Sequence, residues 1–223
     1  MGIEKRSISE QVLEHLRRKI MLSELKEGDY LREFELSKEL NVSRGPIREA
    51  LAKLEAENLV EKYSNGRTAV KKFGLKDITN LYDSRILLES YALTQIEEKV
   101  LDNKKELLYI YVKQMQESYD RNSRNVESDL SFHGLLVHMT ENNTLIQLWT
   151  SLSGMLKTLI DITSEYTEPH QQEIIYDHIK LADALVVGDL AKAQELLTSH
   201  LKEAAEYFCD AVKKISIGGV KNA

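Results

Sequence analysis

Prolines occur at only two positions of this sequence, Pro46 and Pro169, so the long segment between them lacks the strongest helix breaker. From Leu75 onward, apolar residues recur every three or four positions in one segment after another, which is the period of an amphipathic α-helix. The first of these segments is expected to direct Leu75 and Ile78 inward. Short connections between the segments predict a mainly α protein with an antiparallel all-α bundle of about six helices over residues 74–223.

The composition is typical of a globular protein that works in the cytoplasm. A hydrophobic fraction of 42% allows a sizeable core, and 30% of the residues are charged. No apolar run approaches the roughly 20 residues that a membrane-spanning helix needs, and the start, "MGIEKRSISEQV", lacks the apolar core of a signal peptide. One cysteine, Cys209, excludes an internal disulfide. We therefore expect a cytoplasmic protein without a membrane partner.

The charge is distributed unevenly along the chain. The net charge is -6, but residues 1–73 hold 15 Lys and Arg against 13 Asp and Glu, whereas residues 74–223 hold 15 against 23. A mildly basic first third permits binding to nucleic acid, although the net charge alone would not suggest it.

The first third has the pattern of a winged helix-turn-helix domain. A capping box of Ser7 and Glu10 predicts the start of a first helix. A short second helix, about 33–40, is followed by a turn and by a third helix, with Ser43 as its N-cap and Pro46 in its first turn. The sequence "LVEKYSNGRTAVKKF" then predicts two short strands around Asn-Gly, a strong hairpin signal. Residues 1–73 are therefore predicted to be a DNA-binding domain.

The candidate DNA contacts lie at the start of the third helix and on the hairpin. The free N–H groups of a helix N-terminus attract phosphate, and arginine can bind guanine through two hydrogen bonds. The alternative is that these arginines form only a solvated helix face. The predicted DNA-binding residues are Ser43, Arg44, Gly45 and Arg48 on the helix, and Gly66, Arg67 and Lys71 on the wing.

Four residues on three bundle helices are candidate metal ligands. Asp129 and His133 in "DLSFHGLLVH" are four positions apart and share a helix face. His178 and His200 fall on the inward stripes of two later helices. A single buried histidine is more often a hydrogen-bonded core residue than a ligand. Three histidines and one aspartate at bundle-facing positions favour a divalent metal, with Zn, Ni, Mn and Fe as the candidates.

Two sets of motifs resemble a known family. The sequence "LREFELSKELNVSRGPIREALAKLEAENLV", followed by "NGRTAV", resembles the DNA-binding domain of the GntR family of bacterial transcription regulators, although Phe34 stands where some members have a base-contacting arginine. The pattern D-x-x-F-H at 129–133, with His178 and His200, resembles the FCD effector domain of the FadR-type branch. That resemblance implies that the acid and the three histidines bind a divalent metal, and that a small carboxylate completes the site.

The same resemblance implies two effector-binding residues. The motif R-x-x-L-E of the branch corresponds to Arg85 through Glu89, and Arg85 would bind the carboxylate of the ligand. The alternative for Arg85 is a salt bridge with a neighbouring acid. Asn143 matches a recurrent asparagine of the branch, and it is expected to contact the ligand or, more readily, to cap a helix.

The sequence thus predicts a homodimeric regulator that binds a palindromic DNA operator under the control of a small carboxylate. One alternative is that the metal by itself is the signal. Another is a metalloenzyme fused to a DNA-binding head, since an open metal site can activate water. No further carboxylate or histidine is obviously placed as a general base, so we expect a regulator and not an enzyme.

Overall fold

The computed structural model describes residues 6–219, and side chains through residue 215. The first five residues, on which part of the signal-peptide prediction rests, lie outside this range, as do residues 220–223. Within residues 6–219, Leu75–Lys214 form one compact unit, and the residues before Leu75 are grouped with residues 215–219 as the other. Each unit is described separately.

The first unit contains three helices and a two-stranded antiparallel sheet: α1 (Ile8–Met21), α2 (Glu33–Glu39), α3 (Arg44–Ala56), β1 (Val60–Lys62) and β2 (Thr68–Val70). The predicted capping box starts α1, because Ser7 Oγ accepts from Glu10 N and the Glu10 carboxylate accepts from Ser7 N. Helix α3 packs against α1 and buries Ile47 and Leu54 completely.

Two tight turns shape this unit. Asn41, between α2 and α3, has a φ of +52°, a conformation that asparagine tolerates better than most residues. The hairpin places Val60 opposite Val70, and Gly66 in its loop has a φ of +77°, which favours glycine. The predicted winged helix-turn-helix is confirmed.

From Leu75 onward, the described part of the chain forms six α-helices: α4 (Leu75–Gln95), α5 (Glu98–Tyr119), α6 (Val126–His138), α7 (Asn143–Thr167), α8 (Gln171–Val186) and α9 (Leu190–Gly219). A 3-10 turn, Glu168–His170, joins α7 to α8. The predicted helical C-terminal domain is confirmed. Among residues 6–219, no helix is long and apolar enough to cross a membrane.

Helix α6 lies at the centre of this second unit. It packs against α4, α5 and α7, and 9 of its 13 residues are buried. A helix that is covered on all sides is apolar on all sides, which explains the composition of "DLSFHGLLVH". Gly134 lets α7 approach, because a Cβ at this position would lie 3.0 Å from Trp149 Cζ3.

Candidate functional site

Three helices bring three histidines together inside the second unit. His133 comes from α6, His178 from α8 and His200 from α9, and all three are buried. One ring nitrogen of each lies within 4.8 Å of those of the other two. The structure therefore groups the three histidines that the sequence analysis singled out.

Hydrogen bonds fix how two of these rings are oriented. His178 Nδ1 lies 2.7 Å from Ile174 O, and His133 Nδ1 lies 2.6 Å from Glu89 Oε2. Both acceptors lack protons, so each Nδ1 carries the proton and each Nε2 presents a lone pair. Burial lowers the pKa of His178 well below its usual value and also lowers the pKa of His133. Both rings are therefore neutral at pH 7.

These orientations fit a divalent cation. The Nε2 atoms of His133 and His178 are 3.0 Å apart, and two lone pairs at this distance repel each other unless a cation or a proton balances them. Burial disfavours the proton. Metal-bound histidines typically donate the other ring N–H to a carboxylate or a backbone carbonyl, and both rings do so. His200 Nδ1 lies 3.8 Å from Asp177 Oδ2.

Asp129 is buried one turn before His133, between two guanidinium groups. Its Oδ1 lies 3.9 Å from Arg85 Nη2, and its Oδ2 lies 3.9 Å from Arg124 Nη2. Burial alone would raise the pKa of Asp129, but the attraction of His178 and His133, which take up protons only in acid, and of the two guanidiniums outweighs burial and lowers the pKa to about 2. The carboxylate is therefore ionised. Among the described residues, the three histidines lie close enough together to share one metal ion, and Asp129 is not part of that group.

Arg85 forms the ion pair that the sequence analysis gave as its alternative role. Its Nε donates to Glu89 Oε1 at 2.7 Å, and both side chains are buried. Arg85 Nη2, however, has no hydrogen-bond partner among residues 6–215. Arg85 thus combines a structural ion pair with a buried N–H group that is available to a ligand.

Glu89 is the site residue that the sequence analysis missed. Besides pairing with Arg85 and His133, it accepts from Trp149 Nε1 at 2.9 Å. Burial raises the pKa of Glu89, but the charge of Arg85 and the hydrogen bonds from His133 and Trp149 outweigh burial and hold this pKa below its usual value. The available signal was its position four residues after Arg85, the spacing of an ion pair on one helix face.

The position of Asn143 corrects one prediction. Asn143 is the exposed first residue of α7, and the residue before it caps the helix: Asn142 Oδ1 accepts from Leu145 N at 3.1 Å. The prediction that Asn143 caps a helix is therefore wrong by one residue.

The predicted recognition helix exposes its N-terminal end. Ser43 occupies the N-cap position of α3, but its side chain makes no capping hydrogen bond within the described chain. Arg44, Gly45 and Arg48 are exposed. A Cβ added at Gly45 would have no described atom within 4 Å. This position therefore leaves room for a close neighbour.

A cavity of about 420 Å³ lies between α2, α3 and the wing, and Arg44, Arg48, Gly66 and Arg67 line it together. Lys71, the other predicted wing residue, donates to Asn58 Oδ1 and does not line this cavity.

Acidic and aromatic residues hold the arginines of this cavity. Arg48 forms two hydrogen bonds to the Glu33 carboxylate, at 3.3 and 3.2 Å. The Arg44 guanidinium lies 5.8 Å from the centre of the Phe34 ring. This role of Glu33 was not evident from the sequence.

Two parts of the chain match known families. Residues 8–70 match the bacterial regulatory proteins of the gntR family, and residues 80–203 match the FCD domain. The chain belongs to the GntR family of bacterial regulators with an FCD domain. It is a DNA-binding transcription regulator and not an enzyme.

Individual relatives are similar over most of their length. A probable D-xylose utilization operon transcriptional repressor of Paenarthrobacter nicotinovorans is 26% identical over 87% of this chain and 86% of that protein. The HTH-type transcriptional repressor NanR of Escherichia coli K12 is 27% identical over 90% of this chain and 84% of that repressor.

Solved structures share the fold. Lar of Listeria monocytogenes has a TM-score of 0.68 at 18% identity, covering 92% of this chain and 98% of Lar. A putative GntR regulator from Rhodococcus sp. RHA1 has a TM-score of 0.61 at 23% identity, covering 90% of this chain and 96% of that regulator.

Proposed function

We propose that a small carboxylate, bound next to a divalent metal in the helical bundle, controls the affinity of this regulator for its DNA operator. In this proposal residues 1–73 form the DNA-binding domain, and residues 74–223 bind metal and effector and form a homodimer. The observation that carries the proposal is the pair of facing Nε2 atoms of His133 and His178, 3.0 Å apart in neutral rings.

Asp129, His133, His178 and His200 would hold the metal, with Zn, Ni, Mn or Fe as candidates. Imidazole and carboxylate ligands suit these ions. When bound, the ion would supply positive charge that attracts a carboxylate. Arg85 supports this assignment, because its buried Nη2 lacks a hydrogen-bond partner among the described residues and its planar guanidinium suits a carboxylate. Asn143 is kept as a second effector contact.

The DNA contacts are assigned to the exposed N-terminal end of α3 and to the wing. Arg44 and Arg48 contact base edges, Ser43 and Gly45 let the helix N-terminus approach, and Gly66, Arg67 and Lys71 contact the backbone. One recognition helix reads only a few base pairs, so a palindromic operator and a two-fold dimer are expected. Both relatives described above are named repressors, which favours repression here.

Metal content and ligand-dependent DNA binding test the proposal on three variants of the full chain. The DNA is a sequence that the protein selects from random oligonucleotides, and the ligands are succinate and butyrate. His178→Ala should lose the metal and the response to acid together. Arg85→Ala should keep the metal and lose most of the response. His138→Ala is the control, because His138 is an exposed histidine on α6, and it should behave like the wild type.

The change in DNA affinity that the ligand can cause has an upper limit. A ligand at a thousandfold excess over its Kd stabilises the state it binds by about 4 kcal/mol, and the effect on DNA cannot exceed its differential affinity for the two states. A metal-free His178→Ala protein that still responds fully to acid would contradict the proposal. DNA binding that responds to metal alone and ignores both acids would make the metal the signal.

A further inference from the structure

A second guanidinium group reaches the effector site from the loop between α5 and α6. Arg124 belongs to this loop, yet its side chain is only 10% exposed. Nη1 donates to Thr167 Oγ1 at 2.7 Å, and the guanidinium lies 5.7 Å from the centre of the Phe208 ring. Contacts with α7 and α9 therefore hold Arg124 so that its Nη2 lies 3.9 Å from Asp129 Oδ2.

The two arginines flank Asp129 without closing on it. Arg85 approaches one carboxylate oxygen and Arg124 approaches the other, each at 3.9 Å, which is too long for a hydrogen bond. Tyr82 Oη and Arg85 Nη2 are buried and have no hydrogen-bond partner in the described part of the chain. Buried polar groups are nearly always paired in native proteins, so the Arg85 Nη2 group has a hydrogen bond to offer to an anionic ligand.

The charges around Asp129 indicate how many negative charges the ligand carries. Arg85 and Arg124 are balanced by Glu89 and Asp129. A divalent ion at the neutral histidines adds two positive charges, and the nearby Asp177 is already paired with Lys180 at 2.5 Å. A buried charge is costly unless it is compensated. A ligand with two negative charges compensates the site completely, whereas a ligand with one leaves a positive charge.

Arg124 also borders the surface of the second unit. It lines a surface cavity of about 520 Å³ between the α5–α6 loop and the end of α7. The other charged residues that line this cavity are acidic: Asp120, Asp161, Glu165 and Glu168.

We propose that Arg124 is a second anion-binding residue of the effector site and that the effector is a small dicarboxylate. This inference rests on the proposed function, since it assumes a metal and an acid effector. Arg85 binds one carboxylate of the effector, and Arg124 binds the other.

Matched pairs of acids test the inference on the full chain loaded with Zn²⁺. Succinate is compared with butyrate, and malonate with propionate, so that each pair differs by one carboxylate at equal chain length. Calorimetry should give the wild type about tenfold or greater preference for the dicarboxylates. Arg124→Gln should abolish this preference and leave butyrate and propionate binding nearly unchanged. Arg121→Gln is the control, since Arg121 is an exposed arginine in the same segment.

Arg124→Lys covers the case in which the glutamine variant does not fold. It retains the charge without the planar guanidinium, and it should keep part of the preference. Equal affinity of the wild type for the two members of each pair would overturn the inference and leave the proposed function standing, as would an unchanged preference in Arg124→Gln. Binding of none of the four acids by the Zn²⁺-loaded wild type would overturn both.

Discussion

Glu89 shows how much a single buried side chain contributes to the proposed metal site. Its carboxylate accepts from Arg85, His133 and Trp149. Glu89→Gln keeps the shape but removes the charge that orients His133 and balances Arg85. We expect metal affinity to fall by about 10- to 100-fold and the free energy of unfolding to fall by about 3–5 kcal/mol. A competition titration with a chelating dye and urea unfolding measure these two quantities.

The control for this residue is Glu195→Gln, an exposed glutamate on α9, which should leave both quantities unchanged. Trp149 is the only tryptophan of the sequence and bonds to Glu89, so its emission should change on metal addition in the wild type and much less in Glu89→Gln. Wild-type metal affinity in a folded Glu89→Gln protein would show that Glu89 does not support the site.

At the scale of helices, the contact between α6 and α7 depends on a glycine. A Cβ at Gly134 would lie 3.0 and 3.1 Å from two ring carbons of the buried Trp149. We expect Gly134→Ala to destabilise the protein by about 1–3 kcal/mol, because the core has to shift. Gly45→Ala is the matched helical control, with open space around its Cβ position, and should be neutral or slightly stabilising. Equal unfolding midpoints in urea for the two variants would refute this account.

The recognition helix and the wing should differ in how they contribute to DNA binding. Arg44→Ala and Arg48→Ala should each weaken operator binding by about 1–3 kcal/mol, if each loses a base contact. Arg67→Ala should weaken binding to all DNA sequences alike. It should also lower the number of counterions released on binding, which the salt dependence reports, by about one. Fluorescence anisotropy on operator and scrambled DNA at several salt concentrations separates the two effects. Unchanged operator affinity in the Arg44→Ala, Arg48→Ala double variant would remove α3 from the interface.

At the scale of the whole molecule, we expect the interface of the dimer to lie on the bundle. Leu87 and Tyr91 are one turn apart on α4 and are 71% and 49% exposed. Apolar side chains exposed together often mark an interface, and a second copy of the chain is the partner that a palindromic operator requires. The Leu87→Glu, Tyr91→Glu double variant should therefore dissociate to monomers in light scattering and bind the operator more weakly.

Val187→Glu is the control for the dimer, because Val187 is 78% exposed but follows α8. It should leave the molar mass unchanged. A double variant on α4 that remains dimeric would move the interface to another surface.

Local signals in the sequence were sufficient to predict most of the helices and to identify the candidate site residues. The capping box of Ser7 and Glu10, the hairpin at Gly66 and the helical period all act within a few residues of the chain, so they can be recognised without a tertiary structure. The period also identified His133, His178 and His200 as inward-facing. It was wrong for Leu75, which is 38% exposed at the start of α4, because the period gives the face of a helix but not how far its neighbours extend.

The partners of the buried polar groups were decided only by the tertiary structure. Glu89 meets His133 and Trp149 across 44 and 60 residues of sequence, and Arg124 reaches Asp129 because Thr167 holds it from α7. Asp129 and His133 share a helix face by their spacing alone, but only the tertiary packing around α6 determines which charges surround them. The sequence therefore determined which residues point inward, and tertiary packing decided their partners, because helical period acts along the chain and hydrogen bonding acts across it.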